Sequence, residues 1–322
     1  MFWLRNGKGL LGAGILALAA LGKEASASMT VLIGEPFGNF GTMMPVGHTA
    51  VYLDRVCADG PLKLRMCRAD EPQGVVVARY YSIGKLDWIA SPVMEFLYAT
   101  DRAEDVPPYV TPELQWTMRN WYRMEYLRDL VPDETQLSDD HSMDEWWESA
   151  GVAFNRRLWG YQLDTTRAQD EQFVAFINAQ ENRHHYQLRN ANCANFAADV
   201  VNFYFPRAVR TNRIADFGLM TPKQVARGVE SYGAAHPEAR FNVVEVPQVP
   251  GSLRRSRPVR GVAESVLKTK RYLATLLVIQ PELVVGLAAV YLDDGRWKMG
   301  RGAEVMGPES FSGMAEPMIA TH

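Results

Sequence analysis

The chain has no surplus of positive charge. Thirty-four Lys and Arg stand against 37 Asp and Glu, a formal net charge of −3. That balance gives no basic footprint for nucleic acid. Several strong motifs are also missing. There is no G-x-S-x-G, no H-E-x-x-H, no Walker loop and no C-x-x-C. Their absence removes nucleophile-elbow hydrolases, zincins, P-loop NTPases and thioredoxin-type redox proteins. Cysteine is scarce, at three in 322 residues. No uninterrupted apolar run reaches the ~20 residues of a membrane span. Residues 272–291 are the second most apolar stretch, but Gln280, Pro281 and Glu282 sit at their centre, where a charge costs about 2.5–3.5 kcal/mol on insertion scales. That stretch reads as two buried elements broken at Pro281.

What remains is ordinary globular material, 47% hydrophobic and 22% charged, of a length for one large domain or two. The first 27 residues read as a signal peptide. Arg5 and Lys8 form a positive region, residues 10–22 an apolar core, and Ala25-Ser26-Ala27 an A-x-A cleavage site, so the mature chain is expected to begin near Ser28. The apolar core is shorter than the ~20 residues a membrane span needs. Loss of this segment removes Arg5, Lys8 and Lys23 against Glu24 and takes the net charge to −5. The pattern Gly7-Lys8-Gly9-Leu10-Leu11-Gly12 matches G-x-G-x-x-G. It follows no strand and belongs to the signal segment, so dinucleotide binding is discarded.

Export implies an oxidising compartment. Cys57 and Cys67 flank the turn Ala58-Asp59-Gly60-Pro61 between two strand-like runs. A disulfide across that hairpin and a set of three buried thiols are both open, because connectivity is not legible in sequence. A disulfide there leaves Cys193 outside the pair.

Strand patterns cover 29–33, 48–56, 62–67 and 74–81, four in succession with short turns, which suggests an antiparallel meander. Helical patterns then follow. Thr111-Pro112-Glu113 opens one that runs to about Leu130. Others cover 144–158, 169–179 and 194–203, and Thr221-Pro222 opens a further one. Trp116, Trp121, Trp146, Trp147 and Trp159 fall in this middle section and are expected chiefly to pack helices. Residues 246–262 are rich in Pro and Arg and read as a linker. The expected organisation is a signal peptide at 1–27, an α+β domain at 28–245 with a helical insertion at about 88–180, that linker, and a C-terminal appendage at 263–322. Its antiparallel sheet is expected to carry the helix that follows Cys193.

No pattern calls for a metal or a cofactor. Neighbouring side chains such as His184 and His185 diverge and rarely share one ion. Asp139-Asp140-His141 reads as a solvated acidic loop. Two contexts stand out instead: Gly47-His48-Thr49-Ala50-Val51-Tyr52-Leu53, a Gly-His entering a strand, and Asn190-Ala191-Asn192-Cys193-Ala194-Asn195-Phe196-Ala197, an Asn-Cys entering a helix. A thiol at a helix N-terminus ionises more easily than an ordinary one. An imidazole within reach makes it a nucleophile. The alternative is a buried cysteine closing a helix.

These two stretches, in this order, resemble the circularly permuted NlpC-type papain-like fold, which includes lecithin–retinol acyltransferase-like enzymes and related bacterial cysteine hydrolases. The resemblance covers roughly residues 29–201. It implies an exported thiol hydrolase, protease-like amidase or acyltransferase with Cys193 as nucleophile and His48 as general base and acid. The Cys193 N–H would help bind the oxyanion, with Asn192 and Asn190 supporting the site. A peptide or a lipid acyl group of the cell envelope is the implied substrate, with peripheral membrane contact and a periplasmic or extracellular location. The family places a polar orienting group on the strand after the histidine. Here that strand offers Lys63, Arg65 and Arg68, which cannot accept an imidazole N–H. Asp54, Asp70 and Glu71 are the nearby acceptors, and Asp54 is the candidate. The competing class is a non-catalytic envelope-binding module on the same fold, with the Trp-rich insertion as its contact surface.

Overall fold

The computed structural model describes residues 27–38, 46–68, 71, 74–81, 83, 86–131, 145–183, 186–212, 214, 216–292 and 296–311. The signal segment up to residue 26, Asp70, Asp139-Asp140-His141 and His184-His185 lie outside them. In chain order the elements are β1 (Ala27–Gly34), β2 (His48–Leu53), β3 (Val56–Ala58), β4 (Leu64–Met66), β5 (Val75–Ala78), β6 (Ile89–Pro92), α1 (Val93–Tyr98), α2 (Pro112–Tyr126), a 3-10 turn (Glu145–Ser149), α3 (Val152–Asn155) and β7 (Leu158–Thr165). Then come α4 (Arg167–Ala179), α5 (Cys193–Tyr204), α6 (Pro222–Ala235), β8 (Asn242–Val246), α7 (Val262–Lys268), α8 (Lys270–Ile279), α9 (Pro281–Val290) and β9 (Glu304–Val305).

Seven strands form one sheet in the order β6-β5-β2-β1-β7-β8-β9. All its pairings are antiparallel except β8 with β9. The architecture is α+β, as the pattern suggested. The meander holds for β1, β2, β5 and β6. The expected third strand, however, is not in it. β4 pairs with β3 in a separate two-stranded ribbon. Gly60, at φ +85, turns the chain between them, and Cys57–Cys67 ties the ribbon as a disulfide. β7 and β8 were not legible as strands. β7 pairs with β1 along its whole length, so it lies near the centre of the sheet.

Every residue of β1 is buried, because helices cover both faces of the sheet. Alternation then feeds two cores. Val31, Ile33, Val51, Leu53, Val75, Val77, Tyr161 and Leu163 face α4, α5 and α6, which contribute Phe173, Ala197, Val201 and Val225. Leu32, Ala50, Val76, Ala78 and Leu158 face α1, α2 and α3, which contribute Phe96, Tyr122 and Phe154. Trp146 belongs to the second core, whereas Trp116 and Trp121 are exposed.

The expected helix over 144–158 breaks up. Gly151 takes φ +58, and a Cβ there would come within 2.7 Å of the Phe154 ring. α2 starts where its cap predicted, with Thr111 accepting from the Leu114 N–H at 3.2 Å.

Residues 246–262 run against the body of the protein. Val249 N donates to Ala153 O at 2.8 Å, and Ser256 Oγ donates to Glu35 Oε2 at 2.6 Å. β9 then brings the C-terminal segment back to the sheet edge. The pair broken at Pro281 is helical, but it is not buried as expected. α8 contributes no buried residue, and Val278 is 85% exposed. α7, α8 and α9 pack mainly on one another. Hydrophobic runs of this length do not by themselves distinguish a core from an apolar surface. Among the described residues no helix is long and apolar enough to cross a membrane.

Replacing Cys57 and Cys67 together by Ser should lower stability by about 2–3 kcal/mol. A fall in the urea midpoint at unchanged slope would show it.

Candidate functional site

Cys193 is the first residue of α5, and its local structure is set by asparagines. Asn192 caps the helix by accepting from the Asn195 N–H at 2.9 Å, and Asn195 accepts in return from the Asn192 N–H at 3.2 Å. This is a reciprocal capping box. The Asn192 side-chain N–H groups donate to Leu188 O and Met220 O at 2.8 and 3.1 Å. Its amide is therefore committed to holding the turn, which removes it as an oxyanion donor. Asn190 is exposed in the turn between Gln187 and Ala191. The Cys193 thiol is buried. Three residues on, the Phe196 ring lies under the Arg79 guanidinium, 5.3 Å from centroid to carbon. This contact pins the first turn of α5 to the end of β5, beside the start of β2.

His48 opens β2, opposite Gly34 of β1. The Gly47 before it has φ +77, and a Cβ there would stand 2.4 Å from Gly34 O, so the Gly-His pairing is a steric requirement. The imidazole stacks on Tyr80, with centroids 5.2 Å apart and planes at 15°. Its Nδ1 lies 3.9 Å from Glu148 Oε2. Its Nε2 is buried without a hydrogen-bond partner among the described residues. Burial pushes the His48 pKa down to about 4; Glu148 opposes that and Arg156 adds to it. The ring is thus neutral at pH 7. A carboxylate beside Nδ1 favours the proton on that nitrogen and leaves Nε2 as an acceptor.

The carboxylate that lies beside the imidazole is Glu148, which the sequence did not reveal; at 3.9 Å it acts on the ring through its charge and not through a hydrogen bond. It sits in the turn Glu145–Ser149, exactly one hundred residues from the histidine in sequence, and Arg156 binds it at 3.0 Å. Burial alone would raise its pKa. Arg156 first, then His48 and Arg119, outweigh that and hold the carboxyl below its usual range. Arg119 is itself buried and pushed down to about 9 by desolvation, with Arg156 adding to it. It donates to Ala150 O and Gly151 O at 2.8 and 2.9 Å. No local motif marks Glu148; the one hint is an acid inside the apolar run Trp146-Trp147-Glu148-Ser149-Ala150.

Asp54 does not orient His48. The two lie at opposite ends of β2. Asp54 Oδ2 accepts from Ser28 N at 2.8 Å and Ser28 Oγ at 2.9 Å. Glu71 is also committed elsewhere, to Arg65.

The remaining relation is between His48 and Cys193. Both lie at the same end of the sheet. By alternation His48 shares the face of Ala50, which looks onto α1, α2 and α3. α5 packs on the other face, with Val51. The hydrogen bond from the thiol to Nε2 is not formed. Thr49 lies on the α5 face; it is fully buried and its hydroxyl lacks a partner among the described residues. Cys57, Cys67 and Glu71 form the one cluster of potential metal donors among the described residues. Its sulfurs are joined in the disulfide.

No family model matches the chain, and no curated protein does. Among solved structures, the type VI secretion system effector TseH matches with a TM-score of 0.32 and 10% identity. The match covers 68% of this chain and 97% of that one. It assigns neither a family nor an activity.

Two outcomes follow. Glu148→Ala strands Arg156 and Arg119 as buried cations and should cost about 3–5 kcal/mol, measured by denaturant unfolding. His48 is depressed in the fold, so its contribution is present above pH 6.5 and is lost as pH falls toward 4. Stability of wild type minus that of His48→Asn should therefore shrink across that window. A difference independent of pH would refute the buried neutral imidazole.

Proposed function

We propose that the chain is an exported thiol hydrolase or acyltransferase acting on an amide or ester of the cell envelope. Cys193 is the nucleophile, His48 the base and acid, and Glu148 the group that orients His48. The observation that carries this reading is the state of the imidazole. It is neutral, Nδ1 faces a carboxylate, and a buried Nε2 has no partner among the described residues. A purely structural histidine in that place would be expected to satisfy both nitrogens. The thiol at the opening of α5 lies at the same end of the sheet.

In the reaction, Nε2 takes the thiol proton and the Cys193 sulfur attacks the acyl carbonyl. The amides of the first helical turn receive the oxyanion. The imidazolium then protonates the leaving group, and water or another acceptor releases the acyl chain. For this to occur, imidazole and thiol have to meet around the start of β2, since the sheet separates their faces. Envelope peptides are the favoured substrates and lipid acyl groups the second. The signal segment before Ser28 supports export, and the Cys57–Cys67 disulfide agrees with an oxidising compartment.

The second reading is a non-catalytic envelope module. The opposite faces of His48 and Cys193 favour it, as do the exposed Trp116 and Trp121.

Alkylation of Cys193 as a function of pH separates the two readings. The enzyme requires fast labelling well below pH 8 that His48→Ala abolishes and Glu148→Gln slows. Slow labelling with the same profile in all three proteins leaves the module.

A further inference from the structure

The two ends of β2 carry different chemistry, and the far end is unexplained by any reading above. There Asp54 is a half-buried carboxylate whose hydrogen-bond donors are neutral. Oδ2 takes the backbone N–H and hydroxyl of Ser28, while Oδ1 is buried without a partner among the described residues. Burial raises the Asp54 pKa to about 6 against the lowering effect of Ser28, and Asp170 raises it further while Arg55 lowers it. The groups around it come from four elements. Ser28 is on β1, and Tyr52 on β2 adjoins Asp54 itself. Asp170 is on α4, where it accepts from Thr165 Oγ1 at 3.3 Å and pairs with Arg55 at 3.7 Å. Tyr204 at the end of α5 has a buried hydroxyl and feels both carboxylates. Asp164, opposite Ser28 on β7, is taken by Arg240. One guanidinium, Arg55, thus faces two carboxylates, Asp54 and Asp170. A half-buried carboxylate with one buried oxygen unsatisfied among the described residues has room for a further donor, and a cation with more than one N–H would serve both oxygens.

The shorter of the two hydrogen bonds to Asp54 comes from the nitrogen of Ser28, and Ala25-Ser26-Ala27 immediately precedes it in sequence. We propose that hydrolysis after Ala27 creates that cation: the new α-ammonium of Ser28 seats on Asp54, and the Asp54 pocket is the binding site for the processed N-terminus. In the cleavage, water supplies the hydroxyl of the Ala27 carboxylate and the released Ser28 amine takes up a proton. A signal peptidase acting on A-x-A before folding is the class of enzyme required. The ammonium keeps the 2.8 Å bond to Oδ2 and gains two N–H groups, one of them for the orphaned Oδ1. An amide hydrogen bond becomes a half-buried ion pair, and β1 acquires an anchor at its first residue. The unprocessed chain has Asp54 with neutral donors only, so processing adds stability to the central strand of the sheet. This inference rests on the signal-segment reading and not on the chemistry of Cys193 and His48.

The test starts from the full-length chain. N-terminal sequencing of the exported protein should return Ser28; any other first residue overturns the proposal. On that protein, competitive acetylation as a function of pH reads the Ser28 amine, whose pKa should lie above the ordinary 7.7–8.0 of an α-amine. An amine titrating at or below that range overturns it. The raised pKa fixes the sign of the stability effect. The added stability is complete below about pH 7.7 and is lost as pH rises through the folded-state value. At pH 6, the exported protein should therefore melt a few degrees above a chain retaining Ala27 at its start. The gap should close above about pH 10, and Asp54→Asn should remove it. Equal melting temperatures at pH 6, or a gap that Asp54→Asn leaves intact, overturn the proposal. The acetylation measurement decides it even if Asp54→Asn fails to fold.

Discussion

The structure depends on the burial of β1 on both faces and along both edges. Helices lie above and below it, β2 and β7 flank it, and none of its eight residues reaches solvent. A strand in that position has to feed two cores at once, and its neighbours inherit the rule. Val51 and Ala50 are adjacent in sequence and sit in different cores. The same alternation sends His48 to one face and Thr49 to the other. The position of the imidazole relative to Cys193 is thus a consequence of strand parity, and the shared end of the sheet is where the two can approach.

The charged groups follow the same logic. On the face of α1, α2 and α3, the loss of solvent would be prohibitive for a single ion. Glu148 is tolerated because Arg156, Arg119 and His48 surround it, and the arginines are tolerated because of Glu148 and backbone carbonyls. Such a cluster is costly to assemble from hydrophobic parts alone. It stands beside an imidazole with one nitrogen unsatisfied among the described residues, and it ties the helical segment after β6 to the start of β2. The far end of β2 repeats the pattern with Asp54, Asp170 and Arg55, a second polar cluster at the other edge of the same strand.

Much of this was legible in the residues. Short-range chemistry did best: Thr111 before Pro112 opens a helix where it was expected and Cys193 stands at a helix start, although Asn192 caps that helix and the strand expected from residue 62 begins at Leu64. The α+β class and the meander of β1, β2, β5 and β6 followed from period-two patterns. β7 was missed because Leu158-Trp159-Gly160-Tyr161-Gln162-Leu163 follows directly on a helix-like run that Gly151 breaks. The exposed faces of α8 and α9 were read as core because an apolar run looks the same in either place. Asp54 was chosen as the orienting acceptor for nearness in sequence. The extended geometry of β2 carries it to the opposite end from His48.

Sequence alone determined the caps, the turns, the strand alternation and the two residues worth testing, because each of these is decided by neighbours along the chain. Tertiary structure decided the rest. It placed Glu148 and not Asp54 beside His48, joined Cys57 to Cys67, committed the Asn192 amide to its own turn and put His48 and the body of α5 on opposite faces of the sheet. Those outcomes turn on which segments a twice-covered central strand brings together, and chain distance carries no information about that.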